Sequence, residues 1–313
     1  MRRKIAKIGP ATLMISLPSK WVKKYGLKKG DELHFEEKGS SMILSGTSVK
    51  EIGRIEVSVK NTNVFRSVLG SLYRAGYDEF VFNLAGCKID LTKLNEILNF
   101  FVGLEVEEFS DKRIVLKSVA FIESKDYDFF INKLFVTIKV MFSELIAYFN
   151  GEECNLNNLD EMRKNNLRSR EYCMRGINKL GFSGNTAEET YAFLLILEKI
   201  SGSLWHIGTY SKNNKPKPSK KAVELLENLR ELMIKLNTAY SKKDFDKSIH
   251  DVLNDRYFFR QEWFAEDKLF KIFKKTDIDP VVMALLLNIR MEVASATSRF
   301  NATMVVQDKN LVK

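Results

Sequence analysis

Cysteine and histidine are scarce in this sequence. Its 313 residues contain three cysteines and three histidines, and neither a CxxC nor an HxxxH spacing occurs among them. A disulfide framework and a zinc site built from these residues therefore have no support. The cysteines, Cys87, Cys154 and Cys173, are typical of reduced thiols in an intracellular protein.

Long apolar runs and catalytic signatures are missing as well. No uninterrupted apolar run approaches the roughly 20 residues of a membrane-spanning helix, and no secretory signal pattern is recognisable. We expect a cytoplasmic protein, associated with the nucleoid. No phosphate-binding loop, dinucleotide fingerprint or Gly-x-Ser-x-Gly elbow is present. The sequence therefore favours a protein that is not an enzyme and needs no cofactor.

Acidic residues are absent from the first thirty positions, which hold nine lysines and arginines. Residues 1–53 carry a net charge of +6 (11 basic, 5 acidic), residues 54–118 are balanced, and residues 119–313 contribute the remaining +4 of a total of +10. Concentrated positive charge attracts polyanions, so this segment predicts a nucleic acid or an acidic membrane face as partner. A solvated face that only aids solubility is the alternative interpretation.

The same basic segment is patterned to fold. Alternating apolar residues predict one strand before Gly9-Pro10 and a second over residues 12–17. Pro18 then begins a helix of about two turns that Gly26 ends, and two more strands follow a turn at Gly30-Asp31. So small a unit, without disulfides, cannot build a stable core alone, and we expect it to dimerise.

Residues 54–118 predict a compact α/β unit with the element order β-α-β-α-β-β. Gly76 is expected to end its first helix, and Thr92 is available to cap its second. The balanced charge of this unit favours a spacer or an interaction module.

From about residue 125 the apolar period changes to 3.6, which predicts a helical region. A polar linker at 211–221 separates two three-helix halves, 121–211 and 219–308, as in a duplicated bundle. The six expected helices lie at 125–150, 156–181, 187–211, 219–242, 245–275 and 279–308.

The stretch KIGPATLMISLPSKWVKKYGLKKGDELHF, residues 7–35, resembles the AbrB/SpoVT/MazE swapped-hairpin DNA-binding domain. The resemblance covers roughly 45 residues and rests on the spacing of Leu17-Pro18, Gly26-Leu27 and Gly30-Asp31. It implies an intertwined homodimer whose basic surface enters a groove of double-stranded DNA.

On this interpretation basic side chains contact phosphates, and two hydroxyl groups add short hydrogen bonds. Direct base readout relies mainly on Arg, Asn and Gln, so a lysine-rich set predicts modest sequence specificity. Lys28 and Lys29 are expected on a turn in water. The expected DNA-binding residues are Arg2, Arg3, Lys4, Lys7, Thr12, Ser16, Lys20, Lys23 and Lys24.

The order of segments after residue 53 resembles archaeal proteins in which this domain precedes a PhoU-like helical region. That resemblance implies phosphate-related control, and helices whose Glu/Asp-x-x-x-Asp motifs hold metal ions. Glu198 is present here, but Gly202 stands where the second acid belongs, and the matching stretch has Met291 and Ser295. Because a hard cation needs several converging carboxylates, we expect the metal site to be lost.

Two aromatic segments have simple interpretations. Trp205 is expected to pack in the core beside a partly exposed His206. The stretch RYFFRQEWF at 256–264 resembles a nucleic-acid stacking patch, yet the helical spacing of Phe259 and Trp263 favours a core or a dimer interface.

Together these patterns predict a multidomain α+β protein. A swapped-hairpin β-barrel dimer is expected at 1–48, a small α/β domain at 54–118, and an all-α pair of three-helix bundles at 121–313. The expected function is a homodimeric transcriptional regulator linked to phosphate uptake. The alternatives are a nucleoid protein that coats DNA with little sequence preference, and an adaptor for a transporter or signalling partner. A metal-dependent role ranks third.

Overall fold

The structure is a computed structural model. It describes residues 3–9, 12–24, 26–38, 41–46, 53–119, 124–180, 187–242 and 276–307. The chain divides into two compact units, residues 1–51 and residues 52–313.

The first unit consists of two antiparallel hairpins and one short helix. Strands β1 (Ile5–Ile8) and β2 (Thr12–Ile15) form the first hairpin, and β3 (Leu33–Lys38) and β4 (Ser41–Gly46) form the second. Helix α1 (Ser19–Lys24) lies between the two hairpins in sequence. The predicted four strands and single helix are confirmed.

The second unit begins with a four-stranded sheet in the order β5-β6-β8-β7. Strand β5 pairs with β6 in parallel, whereas β8 pairs with β6 and β7 in antiparallel fashion. This is the predicted order of elements. Their bounds are β5 Arg54–Val59, α2 Phe65–Ala75, β6 Glu79–Leu84, α3 Leu91–Leu98, β7 Leu104–Phe109 and β8 Arg113–Ser118.

Helix α2 covers this sheet with an apolar face. Phe65, Leu69 and Tyr73, spaced four residues apart, are fully buried against the sheet core. Gly76 ends the helix as predicted: its φ of +98° is a left-handed conformation that glycine adopts without strain, and its N–H bonds to the carbonyls of Leu72 and Tyr73.

The predicted cap of α3 is wrong. Asp90, not Thr92, precedes the helix with extended backbone angles, and its side chain accepts a hydrogen bond of 2.7 Å from the N–H of Lys93. Thr92 lies inside the first turn, where its hydroxyl cannot serve as the N-cap acceptor.

Five long helices follow among the described residues. They are α4 Ser124–Asn150, α5 Asn158–Leu180, α6 Ala187–Asn214, α7 Lys220–Lys242 and α8 Pro280–Gln307. Each matches a predicted helix to within three residues at either end. The predicted helix at 245–275, with the aromatic stretch 256–264, lies outside the described residues.

One hydrophobic core joins the long helices that the structure describes. It runs from Tyr127 on α4 to Phe300 on α8 and includes side chains from both predicted three-helix halves. Helix α6 packs along α8, and α4 packs against α5 and α7. Trp205 packs against this core and His206 is exposed.

Helix α8 is long and apolar enough to cross a bilayer, with a mean hydropathy of 1.3 over Pro280–Phe300. Its Leu286, Ile289 and Val293 are buried in the helical core. The core helix of a globular protein meets the same criterion of length and composition. Among the described helices, α8 is the one that meets this criterion.

Helix α5 also packs across α2, and so joins the α/β part of this unit to the helical part. Asn178 donates a hydrogen bond of 2.9 Å to the carbonyl of Arg74, and Arg74 pairs with Glu171 at 2.8 Å. The contacts lie along one face of α5, which fixes the orientation of the two parts relative to each other.

Candidate nucleic-acid interface

The predicted DNA-binding residues lie in and around the first hairpin and helix α1. In the hairpin Ile5 pairs with Ile15 and Lys7 with Leu13. Gly9 begins the connection with a φ of +73°, which a residue with a Cβ rarely adopts.

Helix α1 follows directly from the second strand. The carbonyl of Pro18 accepts hydrogen bonds from the N–H groups of Trp21 (2.9 Å) and Val22 (3.0 Å), so the helix begins right after the proline. Beyond its end, Gly26 has a φ of +64°, and the N–H of Leu27 bonds to the carbonyl of Val22. This is the glycine-terminated helix that the sequence predicts.

The predicted turn at Gly30-Asp31 is present. The N–H of Lys28 donates to Asp31 Oδ2 at 2.7 Å, and the N–H of Asp31 donates to the carbonyl of Lys28 at 3.2 Å. Gly30 has a φ of +99°. The first acid of the chain is therefore engaged in shaping a turn, while the side chains of Lys28 and Lys29 are exposed.

The basic side chains of this unit are open to solvent. Arg3, Lys4, Lys7, Lys20 and Lys23 are all exposed, and none forms an ion pair within the part of the chain that the structure describes. Their charge is therefore available to an external polyanion. Arg2 lies outside the described residues, and Lys24 lies in α1 with its side chain undescribed.

The hairpin does not place all predicted contacts on one side. Successive residues of a strand point to opposite faces, and the register places Lys7 with Ile5, Leu13 and Ile15 on one face. Thr12 shares the other face with Ile8. Thr12 and Ser16 are exposed, but a surface that contacts Thr12 is not the surface that contacts Lys7.

Both hairpin faces carry uncovered apolar side chains. Ile5 is 67% exposed and Leu13 is 66% exposed, and on the opposite face Ile8 and Met14 are about half exposed. Phe35 and Met42 on the second hairpin are exposed too. Among the side chains of this unit that the structure describes, no hydrophobic one is buried. These side chains form no core within one copy.

The residues around Glu198 do not fit a metal ion. Glu198 Oε1 lies 3.3 Å from Arg163 Nη2, and Oε2 lies 3.2 Å from Arg170 Nη1. Gly202, one turn along α6, leaves the space that the Arg163 guanidinium fills, since a Cβ there would collide with Nη1. Within the described residues no three His, Cys, Asp or Glu side chains converge.

Comparison with known proteins identifies one part of the chain. Residues 7–51 match the family described as antidote-toxin recognition MazE, bacterial antitoxin. This range contains both hairpins, helix α1 and the Gly30-Asp31 turn, and it supports the N-terminal resemblance. No curated protein and no solved structure matches the chain.

Proposed function

We propose that this protein is a homodimeric DNA-binding regulator that contacts duplex DNA through its N-terminal unit. The observation that carries the proposal is a set of exposed cations, in a segment that matches the MazE family, that form no ion pair with any residue the structure describes. Arg3, Lys4, Lys7, Lys20 and Lys23 lie within 21 positions that contain no acid. Phosphate neutralisation by such side chains is the main source of affinity for duplex DNA.

The dimer follows from the uncovered apolar faces. Contiguous exposed apolar surface marks an interaction site. A unit this small needs a partner or a covalent staple to be stable, and it has no disulfide. A second copy is the partner that the swapped-hairpin resemblance implies, and it would double the basic surface to 18 side chains from residues 1–30.

The finer parts of the proposal concern the sequence specificity of DNA binding and the role of the helical region. The lysine-rich contact set supports modest sequence preference, since lysine offers a point charge and not a planar fork for base edges. The helical region is proposed as the sensor or interaction region. Its link to phosphate uptake rests on the PhoU-like resemblance alone.

A salt titration of duplex binding tests this function. The chain is compared with a Lys20→Ala/Lys23→Ala variant and with a Lys28→Ala/Lys29→Ala control, whose lysines are equally exposed but lie on the turn. The logarithmic salt slope changes by about 0.9 for each phosphate contact, so losing two contacts in each of two copies would reduce it by up to about 3.6.

The expected result is a smaller slope in the first variant and an unchanged slope in the control. Equal slopes in all three proteins, or no binding at low salt, would contradict the proposal and favour the adaptor. Footprints of equal strength on unrelated sequences would favour a DNA-coating protein.

A second function is favoured by the description of the matching family, which names antidote-toxin recognition. In that case the uncovered apolar faces would bind a different protein. The swapped-hairpin resemblance implies a dimer for either function, so the mass of the purified chain does not separate them. Duplex binding whose salt slope falls in the Lys20→Ala/Lys23→Ala variant supports the regulator.

A further inference from the structure

A second cationic site lies within the second unit, in a cleft between the α/β part and helix α5. The cleft has a volume of about 940 Å³, and a smaller cavity of about 350 Å³ adjoins it through the shared residues Asn63, Arg66 and Phe100. Small-molecule sites typically enclose about 300–1,000 Å³, so the cleft has room for a ligand of that size.

Most of the charged side chains that line the cleft already form an ion pair or a capping hydrogen bond. Lys93 Nζ lies 2.9 Å from Glu96 Oε2, and Lys164 Nζ lies 2.6 Å from Glu161 Oε1. The remaining acid, Asp90, caps α3. The acidic side chains therefore leave little negative charge for the other cations of the cleft.

Two guanidinium groups remain without an acidic partner. Arg66 on α2 stacks on the ring of Phe100, 3.7 Å from its centroid, and neither Arg66 nor Arg168 on α5 forms an ion pair with any described residue. The two arginines come from opposite walls of the cleft. An anion between them would satisfy both.

The surroundings of Arg66 add to this positive charge. Among the described residues, Arg74, Arg163 and Arg170 form their ion pairs with the same two carboxylates, Glu171 and Glu198. Partial burial lowers the pKa of Arg66, the charges of Glu171 and Glu198 oppose that effect, and the charges of Arg170 and Arg163 strengthen it. The group remains a cation, in a place where its charge is incompletely compensated.

Neutral donors complete the site. Asn63 and Asn165 line opposite walls of the cleft. A 3₁₀ turn, Thr62–Val64, leads directly into α2, and the N–H of Asn63 already bonds to Asn61 Oδ1 at 2.9 Å, so the helix terminus is not part of the site. Guanidinium forks bind phosphate groups in bidentate fashion, and side-chain amides can add further donors.

We propose that this cleft binds a small phosphate-bearing polyanion, held between the guanidinium groups of Arg66 and Arg168. A bound anion bridges the α/β part and α5. The site involves only residues between 62 and 168 and does not depend on DNA binding by the N-terminal unit.

Calorimetric titration of the full chain with pyrophosphate tests the proposal. The chain is compared with Arg66→Gln, Arg168→Gln and, as a control, Lys20→Gln/Lys23→Gln, because the N-terminal cations could also attract pyrophosphate. Hydrogen bonds to charged groups are worth about 1.5–3 kcal/mol, so each arginine substitution is expected to weaken binding by about tenfold or more. The control should bind as the unaltered chain does.

Three outcomes would overturn the site. The first is an absence of pyrophosphate binding. The second is binding by both arginine variants that is as tight as binding by the unaltered chain, and the third is a loss confined to the N-terminal control. Citrate distinguishes phosphate from carboxylate chemistry: citrate binding as tight as pyrophosphate binding would overturn the phosphate assignment. Both arginines are exposed, and thermal melts of the ligand-free variants, expected to match that of the unaltered chain, check that each is folded.

Discussion

Arg175 on α5 forms an ion pair with Asp78, which lies just before β6 in the loop after α2. This pair joins the helical part to the α/β part. Arg175 is 1% exposed, and its Nη2 donates to Asp78 Oδ1 at 2.8 Å. Its Nη1 donates to the carbonyls of Tyr73 (2.8 Å) and Tyr77 (2.7 Å). One guanidinium thus contacts the last turn of α2 and the loop after it.

Burial makes this arginine costly to lose. Burial lowers the pKa of Arg175, and the neighbouring Tyr73 and Asp78 act in the opposite direction. The guanidinium stays protonated, because arginine is charged under any condition in which the protein folds. Removing it would deprive the carbonyls of Tyr73 and Tyr77 of a charged donor, while Asp78 would keep a second partner, Lys179.

We predict that Arg175→Ala lowers the free energy of unfolding by about 2–3 kcal/mol, because a buried side chain that donates to two carbonyls and stacks on Tyr73 is lost, although Asp78 keeps Lys179. Urea unfolding followed by circular dichroism measures this. The matched control is Lys88→Ala, which breaks a pair of 3.1 Å to Asp111 in which both side chains are about 80% exposed; a surface pair is worth about 1 kcal/mol or less. Similar losses in both variants would contradict a structural role for Arg175.

The secondary structure was largely predictable, because it depends on local periodicity and on glycines with special conformations. Gly26, Gly30 and Gly76 have positive φ at the positions where the sequence predicts a helix end or a turn. The cap of α3 was misassigned because both Asp90 and Thr92 are good capping residues. Which of them has extended backbone angles is decided by how the chain leaves β6.

The sites were predictable only where charge is concentrated in sequence. The N-terminal cations form a visible run, but that run does not reveal that Lys7 and Thr12 lie on opposite faces of a hairpin. Arg66 and Arg168 are far apart in the chain and belong to no local motif. Only the packing of α5 across α2 brings them to one cleft.

Gly208 on α6 allows α5 and α6 to approach closely. A Cβ at this position would collide with Leu159 Cδ1 and lie 3.8 Å from Leu145 Cδ2, and both leucines are buried in the helical core. Alanine favours a helix over glycine by about 1 kcal/mol, which opposes the steric cost. The balance depends on how far Leu159 can move.

We predict that the steric cost of the added methyl group exceeds the gain in helix propensity. Gly208→Ala should therefore lower the free energy of unfolding by about 1–2 kcal/mol. Leu159→Ala alone should cost about 2–5 kcal/mol by leaving a cavity. In the double variant the new methyl group occupies part of that cavity, so the combined loss should be smaller than the sum by at least about 1 kcal/mol. Additive losses in urea unfolding would show that the two positions do not meet.

The uncovered apolar face of the first hairpin leads to a prediction about assembly. Leu13 is 66% exposed and lies across from Lys7, on the face that also carries Ile5 and Ile15. If a second copy covers this face, Leu13→Asp places a carboxylate in an apolar interface, where its desolvation is costly. We expect the variant to lose the dimer and to run at the 36.1 kDa mass of one chain in light scattering.

Lys28→Asp is the matched control, since it introduces the same side chain at an exposed turn of the same unit. It should leave the dimer intact. Because the phosphate contacts of a dimer come from two copies, Leu13→Asp should also reduce the salt slope of DNA binding by about half, although it removes no cation. A Leu13→Asp protein that stays dimeric and keeps the full slope would show that the dimer interface lies elsewhere in the chain.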